Sequence, residues 1–329
     1  MGSSPSNSFN KSSTAEEVCQ KFGKQSGKSI VITGGSGGLG LECARVLCKS
    51  GAKVMITCRT ESQGIDVVNK IKKELGDTVD ISFGIMDLQD LESVKSFCKS
   101  FTSSKKPLHI LINNAGVMAC PLTKTKQGFE LQFGVNHLGH FYLTKSLLPV
   151  LNASGTKENK SRVINVSSLG NWLYGPPTAI LYDDINGDKY YHKWQRYGQS
   201  KLANILFSNE LNRRCEADNL NVISVSLHPG VILETSLARH NNLLGMVSEN
   251  VAYHWKSPSK LGAILFPYMK NTSQGAATTI YTALEPNIQP GKWYLDCQLS
   301  NDYLHPLAFD VDTSKKLWNF SEELIKPYL

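Results

Sequence analysis

No stretch of this chain approaches the roughly 20 apolar residues that a membrane-crossing helix requires. The opening segment, MGSSPSNSFNKSS, is polar and lacks the apolar core of a secretory signal. The eight cysteines form no C-x-x-C pair, and no His/Cys cluster has zinc-ligand spacing. That excludes a zinc module, and the cysteines are read as reduced thiols in a reducing compartment, several of them acting as small core hydrophobes. No basic run with interleaved aromatics accompanies the net charge of +7, so the lysines read as a solvated surface and nucleic acid is not an expected partner. Internal repeats and interior low-complexity linkers are also lacking. The expectation is a cytoplasmic protein, at most peripheral to a membrane; Gly2 with Ser6 matches a loose acylation pattern.

What is present is a regular alternation. Short apolar, β-branched runs at 29–33, 53–58, 79–85, 109–113, 162–167, 222–227 and 293–296 read as strands. Between them, 39–49, 61–75, 90–103, 126–150 and 197–215 carry helical spacing, and 15–26 reads as a short lead-in helix. Strand–helix alternation implies right-handed crossovers and a parallel sheet, and the strands are apolar throughout, as a sheet covered on both faces requires. The fold class is therefore α/β: a single Rossmann-type, doubly wound parallel sheet of about seven strands with helices on both faces. Residues 1–14 are expected to be a disordered tail, and 15–329 one domain. Two stretches, 170–196 and 231–262, break the rhythm and are expected to be substrate loops beyond the carboxyl ends of the strands. Both carry apolar and aromatic residues, among them Trp172, Leu173, Tyr174, Tyr182 and Trp194 in the first and Ile232, Leu233, Leu237 and Trp255 in the second.

The first strand runs directly into Thr33-Gly34-Gly35-Ser36-Gly37-Gly38-Leu39-Gly40 and then a helix. Glycines there permit a tight turn and close approach of a pyrophosphate, and the helix start offers unpaired N–H groups and a positive dipole end. The second strand ends at Arg59, where an NAD site would want an acid for the ribose hydroxyls. A guanidinium suits a 2′-phosphate instead, so NADP(H) is the expected cofactor. After the third strand, Asp87 and Leu88 would border the adenine, although Asp87 equally reads as a cap for the helix near Asp90. Asn113-Asn114-Ala115-Gly116 closes the fourth strand with small residues and amides that allow close cofactor approach. His137 and His140, three apart, read as structural packing for want of a third ligand.

The segments TGGSGGLG at 33–40, NNAG at 113–116, Asn136 in GVNHLGH, Ser168 in INVSS, Tyr197-x-x-x-Lys201 and Pro229-Gly230 together resemble the short-chain dehydrogenase/reductase family, from about residue 28 to 300. The segments GFELQFGVNHLGHFYLT at 128–144, SKLANILF at 200–207 and KLWNFSEELI at 316–325 are similar to its retinol dehydrogenase and WW-domain oxidoreductase branch. The resemblance implies roles. Tyr197 would be the general acid/base, and Lys201 would hold the nicotinamide ribose and lower the tyrosine pKa. Ser168, with Ser167 as the neighbouring alternative, would bond the substrate oxygen. Asn136 would hold a relay water, and Pro229, Gly230 and Val231 would border the nicotinamide. Position 234 is Glu where the family often has Thr or Ser. The implied partner is a small lipophilic aldehyde, ketone or alcohol, with carbonyl reduction favoured, and a homodimer is compatible with the family pattern. The competing reading is a nucleotide-sensing interaction protein that keeps the fold; the intact Asn136, Ser168, Tyr197 and Lys201 argue against it.

Overall fold

The computed structural model describes residues 9–232 and 269–329. A short helix α1 (Ala15–Lys21) precedes β1 (Ser29–Ile32), α2 (Gly38–Lys49), β2 (Lys53–Cys58), α3 (Glu61–Leu75), β3 (Ile81–Ile85) and α4 (Leu91–Ser103). The second half follows as β4 (Ile110–Asn113), α5 (Leu131–Phe133), a π turn (Gly134–Leu138), α6 (Gly139–Ser154), β5 (Ser161–Val166), α7 (Gly170–Tyr174), α8 (Lys193–Ala217) and β6 (Val222–His228). After β7 (Val231–Ile232) and β8 (Met269–Lys270) come α9 (Thr272–Leu284), β9 (Trp293–Leu295), β10 (Gln298–Leu299) and α10 (Val311–Ile325), with a short 3-10 turn at Lys326–Tyr328.

The main sheet has eight strands in the order β10-β9-β6-β5-β4-β1-β2-β3. All neighbours pair in parallel except β10, which folds back antiparallel on β9. The eighth strand is the correction to the expected seven: Gln298–Leu299 is only two residues long and has no apolar period to read. The chain winds outward from β1 through β2 and β3, then returns to β4 on the other side of β1. That reversal opens a crevice at the carboxyl ends of β1 and β4, the place where such sheets bind ligands.

Alternation along each strand fills two cores. Ile30 and Ile32 face α2, α3 and α9, whereas Val31 faces the layer of α4, α6, α8 and α10. Burying each such aliphatic side chain contributes about 1.5–3 kcal/mol. α10 lies across α6 and α8: the Trp318 ring sits 5.0 Å from Phe141 and 5.9 Å from Phe207, burying both within the chain.

Residues 9–14 of the expected tail lie among the described residues. Phe9 packs on Phe22 and Tyr281 with centroids about 6 Å apart, and Thr14 caps α1 through a reciprocal box with Glu17. The stretch 170–196 contains α7, and α8 starts at Lys193, before the expected 197. Of the expected loop 231–262, only Val231 and Ile232 lie among the described residues. All eight cysteines are buried and none forms a disulfide among the described residues, and no described helix is long and apolar enough to cross a membrane.

Candidate active site

A cavity of about 470 Å³ opens at the crevice between β1 and β4. Its lining joins residues from seven separate segments: Gly34, Ser36, Gly37, Gly38 and Leu39; Arg59; Asp87 and Leu88; Asn114, Ala115 and Gly116; Ser168; Tyr197 and Lys201; Pro229, Gly230 and Val231. Two sequence candidates stand behind the wall. Gly40 packs α2 against the turn, where a β-carbon would lie 2.4 Å from the Gly34 carbonyl oxygen. Asn136 is fully buried behind Gly116.

The glycine-rich turn is built for close approach. Gly34 has φ +65°, a region that disfavours side chains, and a β-carbon there would touch Ala115 at 3.0 Å. Gly37 is the N-cap of α2 and provides no side-chain cap bond, so the first N–H groups of a 12-residue helix are left for another acceptor. Beneath the turn, the Thr33 hydroxyl accepts the N–H groups of Asn114 and Ala115 at 2.9 and 3.0 Å, and the Asn114 amide donates to the Thr33 carbonyl at 2.8 Å. These bonds lock the β1 turn to the β4 turn.

At the second strand end, Arg59 is exposed on the cavity rim beside Gln63. Asp87 faces the same cavity and accepts the Gln89 N–H at 3.0 Å. Asp90, and not Asp87, caps α4, which separates the two sequence alternatives for Asp87.

Tyr197 and Lys201 lie one turn apart on the first half of α8, both 3% exposed. Burial pushes the Tyr197 phenol up to about 12, with a hydrogen bond from Ser168 acting in the opposite direction. Burial also lowers Lys201 to about 8, and its ammonium donates to the Val166 carbonyl at 3.1 Å. Of the two adjacent serines, Ser168 is the one beside the phenol. Ser167 instead donates to the Lys201 carbonyl at 2.6 Å and braces the helix. The Asn136 amide pairs with both the N–H and the carbonyl of Val117, at 2.8 and 2.9 Å, and donates to Ser200 at 2.9 Å. This fixes the Gly116–Val117 backbone: a β-carbon on Gly116 would lie 3.4 Å from the Lys201 nitrogen.

The end of the cavity near Tyr197 is apolar. Met118, Tyr174 and Trp194 cluster with Tyr197, and Leu173 packs against them. Gln132 ties the Met118–Ala119 backbone to the start of α8 by accepting the Ala119 N–H at 2.7 Å and donating to the Lys193 carbonyl at 2.9 Å. Two aromatics expected at this wall lie elsewhere. Trp172 packs on Tyr303, and Tyr182 is held between Phe320 and Lys316. His228 and Met118 also line the cavity; their place in the sequence, a strand end and an unpatterned turn, carried no signal beyond adjacency to known motifs.

Comparison with known proteins agrees with this geometry. The family model described as short chain dehydrogenase matches residues 28–183. A retinol dehydrogenase 12 of Bos taurus is 37% identical over 94% of this chain and 89% of its own length. The chloroplastic short-chain dehydrogenase TIC 32 A of Brassica napus is 38% identical over 99% of this chain and 97% of its own. The crystal structure of an uncharacterized protein from Mycobacterium Paratuberculosis superposes with a TM-score of 0.71 at 30% identity, covering 94% of this chain and 97% of that one. On these grounds the chain belongs to the short-chain dehydrogenase/reductase family, a family of oxidoreductases that bind a nicotinamide cofactor, and within it to the retinol dehydrogenase branch.

Proposed function

We propose that the protein is an NADP(H)-dependent reductase of lipophilic aldehydes or ketones, of retinoid-, steroid- or prenol-like character. The observation that carries the reading is the convergence of Ser168, Tyr197 and Lys201 on the same cavity as the glycine-rich turn. The residues present fit a dinucleotide: the uncapped start of α2 suits a pyrophosphate, Arg59 a 2′-phosphate, and the small residues 114–116 a flat ring. The cofactor, when bound, supplies the hydride.

The chain's own groups supply the rest. Ser168 holds the substrate oxygen, and Tyr197, protonated across the neutral range, gives it a proton as negative charge develops. Lys201 holds the ribose and, when charged, favours the phenolate that this transfer leaves behind. Asn136 fixes the Val117 backbone. Proton transfer from a positioned group is worth roughly 10²–10⁴ in rate. The apolar wall of Met118, Leu173, Tyr174 and Trp194 favours an uncharged, lipophilic substrate. The retinol dehydrogenase relatives support the same class.

Titration with NADPH and NADH, followed by nicotinamide fluorescence, tests the cofactor assignment. Turnover of a panel of lipophilic aldehydes and ketones, with Tyr197→Phe in parallel, tests the chemistry. Preferential NADPH binding with turnover lost in the variant is expected. Failure to bind either nucleotide would sink the reading.

A further inference from the structure

His140 is fully buried in α6, outside the cavity, and bonds at both ring nitrogens. Its Nδ1 lies 3.0 Å from the Asn136 carbonyl oxygen. A carbonyl only accepts, so Nδ1 carries the hydrogen. Burial lowers the imidazole to about 4, which leaves it neutral and makes Nε2 an acceptor. The group 2.8 Å from Nε2 is the Thr33 hydroxyl, which must then donate its single proton to the ring. The Thr33 oxygen in turn accepts the N–H groups of Asn114 and Ala115. The donors therefore run head to tail, from the Asn114–Ala115 turn through Thr33 and His140 to the Asn136 carbonyl. Bonds aligned in this way polarise one another.

The segment that receives this chain is unusual. Asn136 lies at the centre of the π turn, whose widened bond runs from the Gly139 N–H to the Gly134 carbonyl. Wide turns of this kind are rare and leave the helix ladder out of step, so a side-chain donor to a carbonyl within one has a structural consequence.

We infer that His140 is a positioning residue: by bridging the Asn136 carbonyl to Thr33, it holds the Asn136 turn in register with the turns that cradle the cofactor. The inference rests on the oxidoreductase reading. His140 touches neither the cavity nor Tyr197, and it acts only through Asn136. Its two bonds have unequal consequences. If the ring is removed, the Thr33 hydroxyl still has the Ile112 carbonyl 3.4 Å away, so the cofactor turn keeps its lock. The Asn136 carbonyl loses its side-chain donor. The effect therefore falls on turnover rather than on cofactor affinity.

The test compares His140→Leu, His140→Asn and His140→Gln, reading kcat on a carbonyl that the wild type reduces, the NADPH dissociation constant by fluorescence, and the melting temperature. The Asn amide nitrogen reaches the place of Nδ1, whereas a Gln amide reaches that of Nε2. The expected result is a fall in kcat of about tenfold for Leu and Gln, the scale of one buried hydrogen bond lost. The Asn variant is expected to recover most of the rate, and NADPH affinity to change less than about twofold throughout. If the Leu variant fails to fold, the Asn and Gln pair still decides the matter. Equal rates for Asn and Gln, or losses that track NADPH affinity, overturn the inference. Turnover that Tyr197→Phe abolishes but all three His140 variants spare overturns it alone. A wild type with no turnover overturns the oxidoreductase reading as well.

Discussion

The Lys201 nitrogen stands 5.8 Å from the centre of the Tyr197 ring, and burial displaces the two groups in opposite directions, the phenol up to about 12 and the ammonium down to about 8. Both shifts have one cause: each charged form is disfavoured in a water-poor pocket. The pair is thus poised with the proton on Tyr197, the form that a carbonyl reduction consumes.

A pH profile follows from these values. Lys201 is protonated below about 8 and loses its charge above it, while Tyr197 keeps its proton to about 12. Reduction should hold its rate up to about pH 8 and decline beyond as the charge that favours phenolate is lost. Steady-state kcat between pH 6 and 10 measures this; a flat profile over that range would contradict the assigned role of Lys201.

Cofactor preference should be governed at Arg59, which is exposed at the rim and free to meet a phosphate. Replacing Arg59 by Asp removes a charge-assisted bond and adds repulsion. Charged hydrogen bonds are worth about 1.5–3 kcal/mol, so NADPH affinity should fall roughly 10–100-fold. NADH affinity should hold or rise. Equal losses for the two nucleotides in paired titrations would place the 2′-phosphate contact elsewhere.

The motifs that carry cofactor and proton chemistry were legible because each depends on residue type at a fixed place: small residues where a backbone must approach, a phenol and an ammonium one turn apart. The network behind them was not. His140 shares the helical period of its neighbours, and nothing in GVNHLGH distinguishes a π turn from an ordinary one; only the fold brings Thr33 within 2.8 Å of it. Trp172 and Tyr182 were misplaced for a similar reason. Aromatic character marks a residue that packs, but whether it packs on the cavity or on Tyr303 and Phe320 depends on partners more than 100 positions away. The edge strand β10 escaped because two residues hold no period.

Acid should destabilise the protein early. His137 and His228 are lowered to about 3 and His140 to about 4, each chiefly by burial. In the unfolded chain these groups bind protons near pH 6.5, whereas the native state refuses them. Stability is therefore complete above about pH 6.5 and lost as pH falls toward 4, by about 1.4 kcal/mol per pH unit for each histidine. Glu130, raised by burial, works in the opposite direction, whereas His109 and His305, also lowered by burial, add to the loss. Melting temperatures across pH 7 to 4.5 should fall steadily; an unchanged midpoint would mean that the histidines accept protons in the native state.

Gly37 and Gly40 separate binding from packing within one motif. A β-carbon at Gly37 would meet no atom of the described residues within 4 Å, and the residue's backbone is extended, so Gly37→Ala should fold with an unaltered melting temperature. Gly37 lines the cavity, so a methyl there should lower NADPH affinity. At Gly40 a β-carbon would lie 2.4 Å from the Gly34 carbonyl oxygen and 2.6 Å from the Asn114 amide nitrogen, and α2 would have to move away from the turn. Overpacking of this kind costs about 1–3 kcal/mol, so Gly40→Ala should lower the melting temperature as well as affinity. Thermal melts with and without NADPH distinguish the two variants. If Gly37→Ala binds NADPH as the wild type does, the pyrophosphate does not lie at the start of α2.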